Sequence, residues 1–355
     1  MTHNELRLYK KHTILLSGLC NFEKSICYIH NMPYSCIEIF TDITESDLQA
    51  YYSFHQKLMT ALNKQLKSFA HFSKRAIELL AIPNRRECLL LNNDIVIGWL
   101  EAVAYNTSPT DKALALTGDL LEPINDTIFE AEVKQLIKQW TTAFNAPHIF
   151  IKSNTDYKQH LVEFLKGRQL DEQRYMKIET AALDRKLLQQ WIDDTNLQGL
   201  REEAYTLLPE KYLAQFVATL NAGLKDIPNN LTTFTPYFTV ADELERIENR
   251  KNTGAIQTVL LLFTEENKIA AFTNVLTWQN NATAAQALTY VLPELRNRKL
   301  AKYLKAKMTL YVADNYPEIK GIATDCYARN TPMIHINEQA GFKYTKSGFD
   351  YVVNA

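Results

Sequence analysis

Apolar runs of strand length, separated by turn residues, dominate the second half of the chain before the spacing changes. Thr258–Phe263 is one such run, Glu265–Asn267 a turn, and Ile269–Leu276 and Gln286–Leu292 are two more strands. Beyond Pro293-Glu294 the period becomes helical, with Leu300, Tyr303, Leu304, Met308 and Tyr311 on one face as far as about Asp314. A strand at Ile322–Tyr327, a short helix and a last strand near Phe349–Val353 follow. The middle of the chain has the same order. Cys88–Leu91, Ile95–Tyr105 and Ala113–Leu121 read as strands, with a turn at Asn92-Asn93. Helix Thr127–Phe144, strand Ile149–Lys152, helix Asp156–Lys166 and strand Tyr175–Glu179 then complete the set.

Local matches fix the register of this repeat. Ala115-Leu116-Thr117 corresponds to Ala287-Leu288-Thr289, Asn154-Thr155 to Asn330-Thr331, and Gly167 to Gly341, at a nearly constant offset. Each copy opens with helices, at Glu45–Phe72 and Ser73–Leu80 in the first and Lys186–Leu200 and Pro209–Gly223 in the second. Asn84-Arg85 and Asp226–Asn230 read as loops. The border falls near Leu183. This gives a unit over 1–182 with an N-terminal extension and a second over 183–355. The expected fold class is α/β, each unit a mixed and mostly antiparallel sheet flanked by helices.

Composition narrows the function. With 355 residues the chain is long enough for two cores, and its net charge of −1 supplies no global field for nucleic acid. No apolar run approaches the length of a membrane span, and Thr13–Cys20 reads as a strand rather than a signal peptide. Five cysteines (Cys20, Cys27, Cys36, Cys88, Cys326) form no C-x-x-C pair, which points to reduced thiols and a cytoplasmic location. The scattered histidines offer no metal site.

The chemistry gathers at Ala287–Met308. A buried strand that passes through a basic turn (Arg296, Asn297, Arg298, Lys299) into a helix makes an anion site. The first helical turn has free N–H groups, and the helix dipole adds partial positive charge there. The two copies differ at this point. Gly118–Glu132 carries Asp119, Glu122, Asp126, Glu130 and Glu132 with no Lys or Arg, whereas Leu292–Lys307 carries basic residues against the single acid Glu294. The second copy is therefore the expected anion binder and the first a degenerate scaffold.

The second copy resembles the GNAT superfamily of acetyl-CoA-dependent N-acetyltransferases. The family's R/Q-x-x-G-x-G/A signature stands here as Arg296-Asn297-Arg298-Lys299-Leu300-Ala301, with Lys299 where glycine is usual. The later Asn-to-Gly-Phe element stands as Asn330-Thr331-Pro332-Met333 through Ala340-Gly341-Phe342. Two units in one chain, the second complete, resemble the tandem-GNAT group that includes mycothiol synthase-like proteins. The resemblance implies acetyl-CoA as co-substrate and no metal. Strand Thr289–Leu292 would splay from its neighbour, and the amide of Val291 would polarise the thioester carbonyl. Amides from Asn297 through Leu300 to Ala301, with Arg296 and Arg298, would hold the pyrophosphate. Asn330 and Met333 would line the pantetheine arm, and Leu292 belongs to the same strand end.

The family's usual acid, a tyrosine before the Gly-Phe glycine, is Asn337 here. Tyr290, Tyr327 and Tyr344 are candidate substitutes, and Asp325, Glu243 and the carboxylate of Ala355 are candidate bases. Cys326 reads as a small core residue and His335 as surface. The implied activity is acetyl transfer to a primary amine of a small molecule by direct attack, from a monomer or homodimer with no nucleic-acid or membrane partner. A non-catalytic CoA-binding sensor is the alternative.

Overall fold

Left-handed residues shape the hairpins. Asn93 and Asp94 (φ 47° and 64°) turn the chain between β2 (Arg85–Asn92) and β3 (Ile95–Asn106), and Asn267 (φ 60°) does so between β8 (Ala255–Thr264) and β9 (Ile269–Trp278). The computed structural model describes residues 34–39 and 44–354 except Gln65, Ala81 and Asn280. The expected strand at Thr13–Cys20, the thiols of Cys20 and Cys27, and Ala355 lie outside them. The first half also holds β1 (Tyr34–Ile39), α1 (Glu45–Ala61), α2 (Phe69–Leu80), β4 (Lys112–Leu120), α3 (Thr127–Phe144), β5 (His148–Ser153), α4 (Asp156–Phe164) and β6 (Arg168–Glu179). The second half holds α5 (Arg185–Asp193), β7 (Leu200–Tyr205), α6 (Glu210–Lys225) and α7 (Val240–Thr253) before β8. After β9 come β10 (Thr283–Val291), α8 (Leu300–Asn315), β11 (Gly321–Tyr327), α9 (Thr331–Gln339) and β12 (Lys343–Val353).

The twelve strands among the described residues form one mixed sheet in the order β1-β2-β3-β4-β5-β12-β6-β11-β10-β9-β8-β7. Among the described residues only β4–β5 and β10–β11 are parallel. The order is nearly symmetrical about its centre, with one exchange. β12 does not stay beside β11. It pairs with β5 (Tyr351↔Ile151) and with β6, while β6 pairs with β11 (Ile322↔Ile178). The last strand of each half thus closes the sheet of the other.

Helices cover both faces. α3 buries Phe129, Val133, Ile137 and Trp140 on one face of the first half, and α8 buries Leu300, Leu304, Met308 and Val312 on the matching face of the second. On the opposite face Phe54 and Leu58 of α1 meet Leu89 and Leu91, and Phe216 and Leu220 of α6 meet Phe263 and Phe272.

Several elements depart from the periodicity reading. The helix expected over Glu45–Phe72 ends at Ala61, where the left-handed Asn63 (φ 50°) turns the chain before α2. The helix expected over Lys186–Leu200 ends at Asp193. Thr195 donates back to the Trp191 carbonyl, Gly199 takes φ 74°, and the chain leaves as edge strand β7. Lys305 is one of the basic residues of Leu292–Lys307, yet it is buried beneath α8, with its ammonium over the Phe342 ring. No helix among the described residues is long and apolar enough to cross a membrane.

Candidate active site

Strands β10 and β11 run together only from Thr283↔Gly321 to Ala285↔Ala323 and then part. On its other side β10 keeps its partner β9, through an irregularity between Gln286 and Thr289 and on to Val291↔Ala271. The Leu292 amide donates to the Ala270 carbonyl at 2.9 Å, toward β9. Antiparallel strands alternate the side to which they present backbone groups, so Thr289 and Val291 present theirs to the side that β11 has left. The Arg296 guanidinium confirms that direction, since its Nε donates to the Val291 carbonyl at 3.3 Å.

The parting opens into a cleft of about 520 Å³ between the end of β10, the start of α8, the end of α6 and α9. At α8 the turn is built from left-handed residues, Asn297 at φ 65° and Lys299 at φ 62°, ψ 9°. Tyr303 makes the first helical bond, to the Lys299 carbonyl at 3.0 Å. Among the described residues none accepts a hydrogen bond from the six backbone amides of Asn297 to Lys302. A run of free N–H groups around left-handed residues at a helix start forms an anion-binding concavity. Lys299 thus adopts the backbone conformation for which glycine is suited, and the departure from the family pattern leaves the turn intact.

The cleft brings together eight of the ten residues that the GNAT resemblance assigns to acetyl-CoA: Val291, Arg296, Asn297, Lys299, Leu300 and Ala301 at the strand end and turn, and Asn330 and Met333 from α9. Leu292 and Arg298 do not line it. Leu292 packs with the α6 side of the core, and Arg298 donates to the Gln198 carbonyl at 2.9 Å, which ties the turn to the loop after α5. Asn330 caps α9, its Oδ1 accepting from the Met333 amide at 3.4 Å, while its Nδ2 makes no hydrogen bond within the described residues. Sequence reading missed Asp226, whose carboxylate pairs with Arg296 across the mouth, and Gly223 of α6. A Cβ on Gly223 would stand 3.0 Å from the Tyr290 ring, so glycine lets α6 close over β10.

The candidate acids and bases scatter. Tyr290 lines the cleft. Burial, and the Asp226 carboxylate after it, raise its pKa against the opposing pull of Arg296. Asn337 is buried away from the cleft, with its Nδ2 directed at the sulfurs of Met176 and Cys326. Tyr327 packs on the opposite side of the sheet centre with Phe234 and Leu231, and burial and Asp350 raise its pKa. Asp325, Tyr344 and His335 are exposed outside the cleft. Glu243 is buried and holds Arg246 and Arg250 at 2.9 and 2.7 Å. Burial pushes the Cys326 thiol up to about 11, as suits a core residue. No group of His, Cys, Asp and Glu among the described residues is arranged to hold a metal.

No family model matches the sequence, and no curated protein matches it. Solved structures do. A tandem GNAT protein from the clavulanic acid biosynthesis pathway superposes with a TM-score of 0.63 at 13% identity, covering 90% of this chain and 98% of its own. The chain has the tandem GNAT fold. A GCN5-related N-acetyltransferase from Sphaerobacter thermophilus matches with a TM-score of 0.56 at 12% identity, over 89% of this chain and 95% of that one. A conserved protein from Enterococcus faecalis V583, described as a probable N-acyltransferase, matches at 0.52 and 10%, over 90% and 73%. The GNAT fold, recognised from Arg296–Ala301 and Asn330–Phe342, therefore holds across both halves of the sheet.

Proposed function

We propose that the chain is an acetyl-CoA-dependent N-acetyltransferase that transfers the acetyl group to a primary amine of a small molecule by direct attack. The observation that carries the reading is the cleft itself, where a strand that its parallel neighbour has left ends at six free amides and two left-handed residues. Acetyl-CoA would supply the acetyl group as a thioester. The amides of Asn297 to Lys302, with Arg296 and Lys299, fit its pyrophosphate. Asn330 offers its Nδ2 to the amides of the pantetheine arm, and Met333 offers apolar surface. The Val291 amide is directed to donate to a carbonyl oxygen that gains charge as the amine attacks. Tyr290, a phenol lining the cleft, keeps its proton at neutral pH as an unshifted phenol would, burial raising its pKa further, and it is placed to protonate a departing thiolate.

Calorimetry with CoA should show saturable binding that Arg296→Ala weakens about tenfold and Arg298→Ala far less, since Arg298 faces the α5 loop. No detectable binding would sink the proposal. Thiol release from acetyl-CoA across a panel of amines tests turnover, and Tyr290→Phe should lower kcat more than it changes KM. Binding with no thiol release for any amine would assign the cleft to a CoA-dependent sensor.

A further inference from the structure

The first half has a cavity of its own, about 500 Å³, between the sheet and helices α1 and α2. Its walls divide by chemistry. Phe54, Leu58, Met59, Phe72 and Trp99 make an apolar and largely aromatic side. The floor is a charged row across β2, β3 and β4. Glu87 faces Glu101, Arg85 donates to them at 3.1 and 2.6 Å, and the Tyr51 hydroxyl donates to Glu87. Beside them the Trp99 Nε1 donates to Asp119 Oδ2 at 3.1 Å, and Lys158 donates to the Thr117 hydroxyl at 3.2 Å.

Three carboxylates on this floor face two cations. Glu87 and Asp119 are 2% and 5% exposed, so the excess negative charge is held away from water. The Oδ1 of Asp119 accepts no hydrogen bond within the described residues. Burial raises the pKa of Glu87, Glu101 and Asp119 alike, against the opposing pull of Arg85 on the two glutamates and of Lys158 on Asp119. The mouth has the opposite sign, with Lys64 and Lys67 exposed along it and the Lys64 charge acting on Asp119.

The repeat register shows why this cavity does not duplicate the other one. Asp119 stands where the second half has Val291, and Thr117 where it has Thr289. Lys158 of α4 reaches Thr117 and so lies across the strip that stays open beside β10. Beyond it the chain turns acidic at Glu122, Asp126, Glu130 and Glu132, which repels phosphate.

We propose that this cavity binds a small zwitterion of the α-amino-acid type with an apolar side chain. The ammonium sits against Asp119 Oδ1 and Glu101, the carboxylate turns to Lys64, and the side chain lies among Trp99, Phe72 and Met59. The ring faces of the aromatic wall also favour a cation laid over them. The site is separate from the cleft at α8 and does not depend on acetyl transfer.

The test is titration of the full chain with L-phenylalanine, followed by calorimetry and by the change in tryptophan emission that Trp99→Phe abolishes, in the presence of excess CoA. L-Phenylalanine should bind saturably. 3-Phenylpropionate, which lacks the ammonium, should not bind, and phenethylamine, which lacks the carboxylate, should bind about fivefold more weakly. Asp119→Asn should weaken L-phenylalanine about tenfold. Lys64→Glu, at an exposed position that leaves the core untouched, should weaken L-phenylalanine about fivefold and leave phenethylamine no weaker. If Asp119→Asn does not fold, Lys64→Glu decides alone. The proposal is overturned if L-phenylalanine, L-leucine and L-methionine all fail to bind. It is equally overturned if 3-phenylpropionate binds as well as L-phenylalanine, if CoA displaces the amino acid, or if neither variant changes its affinity.

Discussion

Lys299 allows backbone geometry and charge to be separated at one position. Its φ of 62° and ψ of 9° place it in the left-handed region, where an L-residue with a Cβ bears about 1–2 kcal/mol of strain. Glycine there removes the strain but adds about 0.5–1 kcal/mol of chain entropy to be lost on folding. The difference favours Lys299→Gly by roughly 0.5–1 kcal/mol, read as a higher urea midpoint with an unchanged slope. The same substitution removes an exposed cation beside the six free amides, so CoA affinity should fall about two- to fivefold, and less in high salt. Lys299→Ala keeps the strain and loses the same charge. It should share the affinity loss without the gain in stability. A glycine variant no more stable than the alanine variant would refute the argument, because strain at this residue would then be absent.

Three further outcomes follow from groups near or beneath the sheet. Asp226→Asn releases Arg296 from its carboxylate partner and should tighten CoA binding about two- to fivefold by calorimetry, while unchanged affinity would mean that Arg296 does not reach the anion. Burial pushes Lys305 down to about 8, so above pH 8 the unfolded chain binds the extra proton and stability rises with pH. Below pH 8 the buried charge costs roughly 3 kcal/mol, and Lys305→Met should recover part of this and flatten the denaturation profile between pH 7 and 10. Burial pushes Asp350 up to about 6, so the folded chain holds the proton more tightly and stability falls as pH rises from the ordinary carboxylate range through 6. Asp350→Asn should raise stability by about 2 kcal/mol at pH 7 and change little at pH 4.

The reading from sequence succeeded where one period ran long enough to be unambiguous. Helix α3 has the bounds its spacing predicts, and the β8–β11 order follows from apolar runs closed by Asn-containing turns. It failed where polarity hid the element. β7 (LREEAY) is an edge strand with no fully buried residue, and α7 buries only Glu243, so neither carries an apolar stripe. Lys305 counts in the sequence as one more basic residue of Leu292–Lys307, because charge along a chain does not record depth. Of the site, the anion turn was legible because it rests on local residues. Asp226, Gly223 and the turning away of Arg298 were not, since each depends on α5 or α6 arriving from distant sequence. The partner of β12 was illegible for the same reason, because a strand's own residues do not record its neighbours.

The exchange of β6 and β12 sets an order of events during synthesis. β6 emerges before β11 and β12, the two strands that flank it. Until β12 has been made, β5 and β6 each keep a bare edge at the centre of what becomes the sheet. Neither half can close early, so β12, made after the strands on either side of it, is the keystone of both, and the contacts that finish the fold span most of the chain. Chains severed at Leu183 would each carry a strand that belongs in the other fragment, and the two pieces should recover the sheet only by joining.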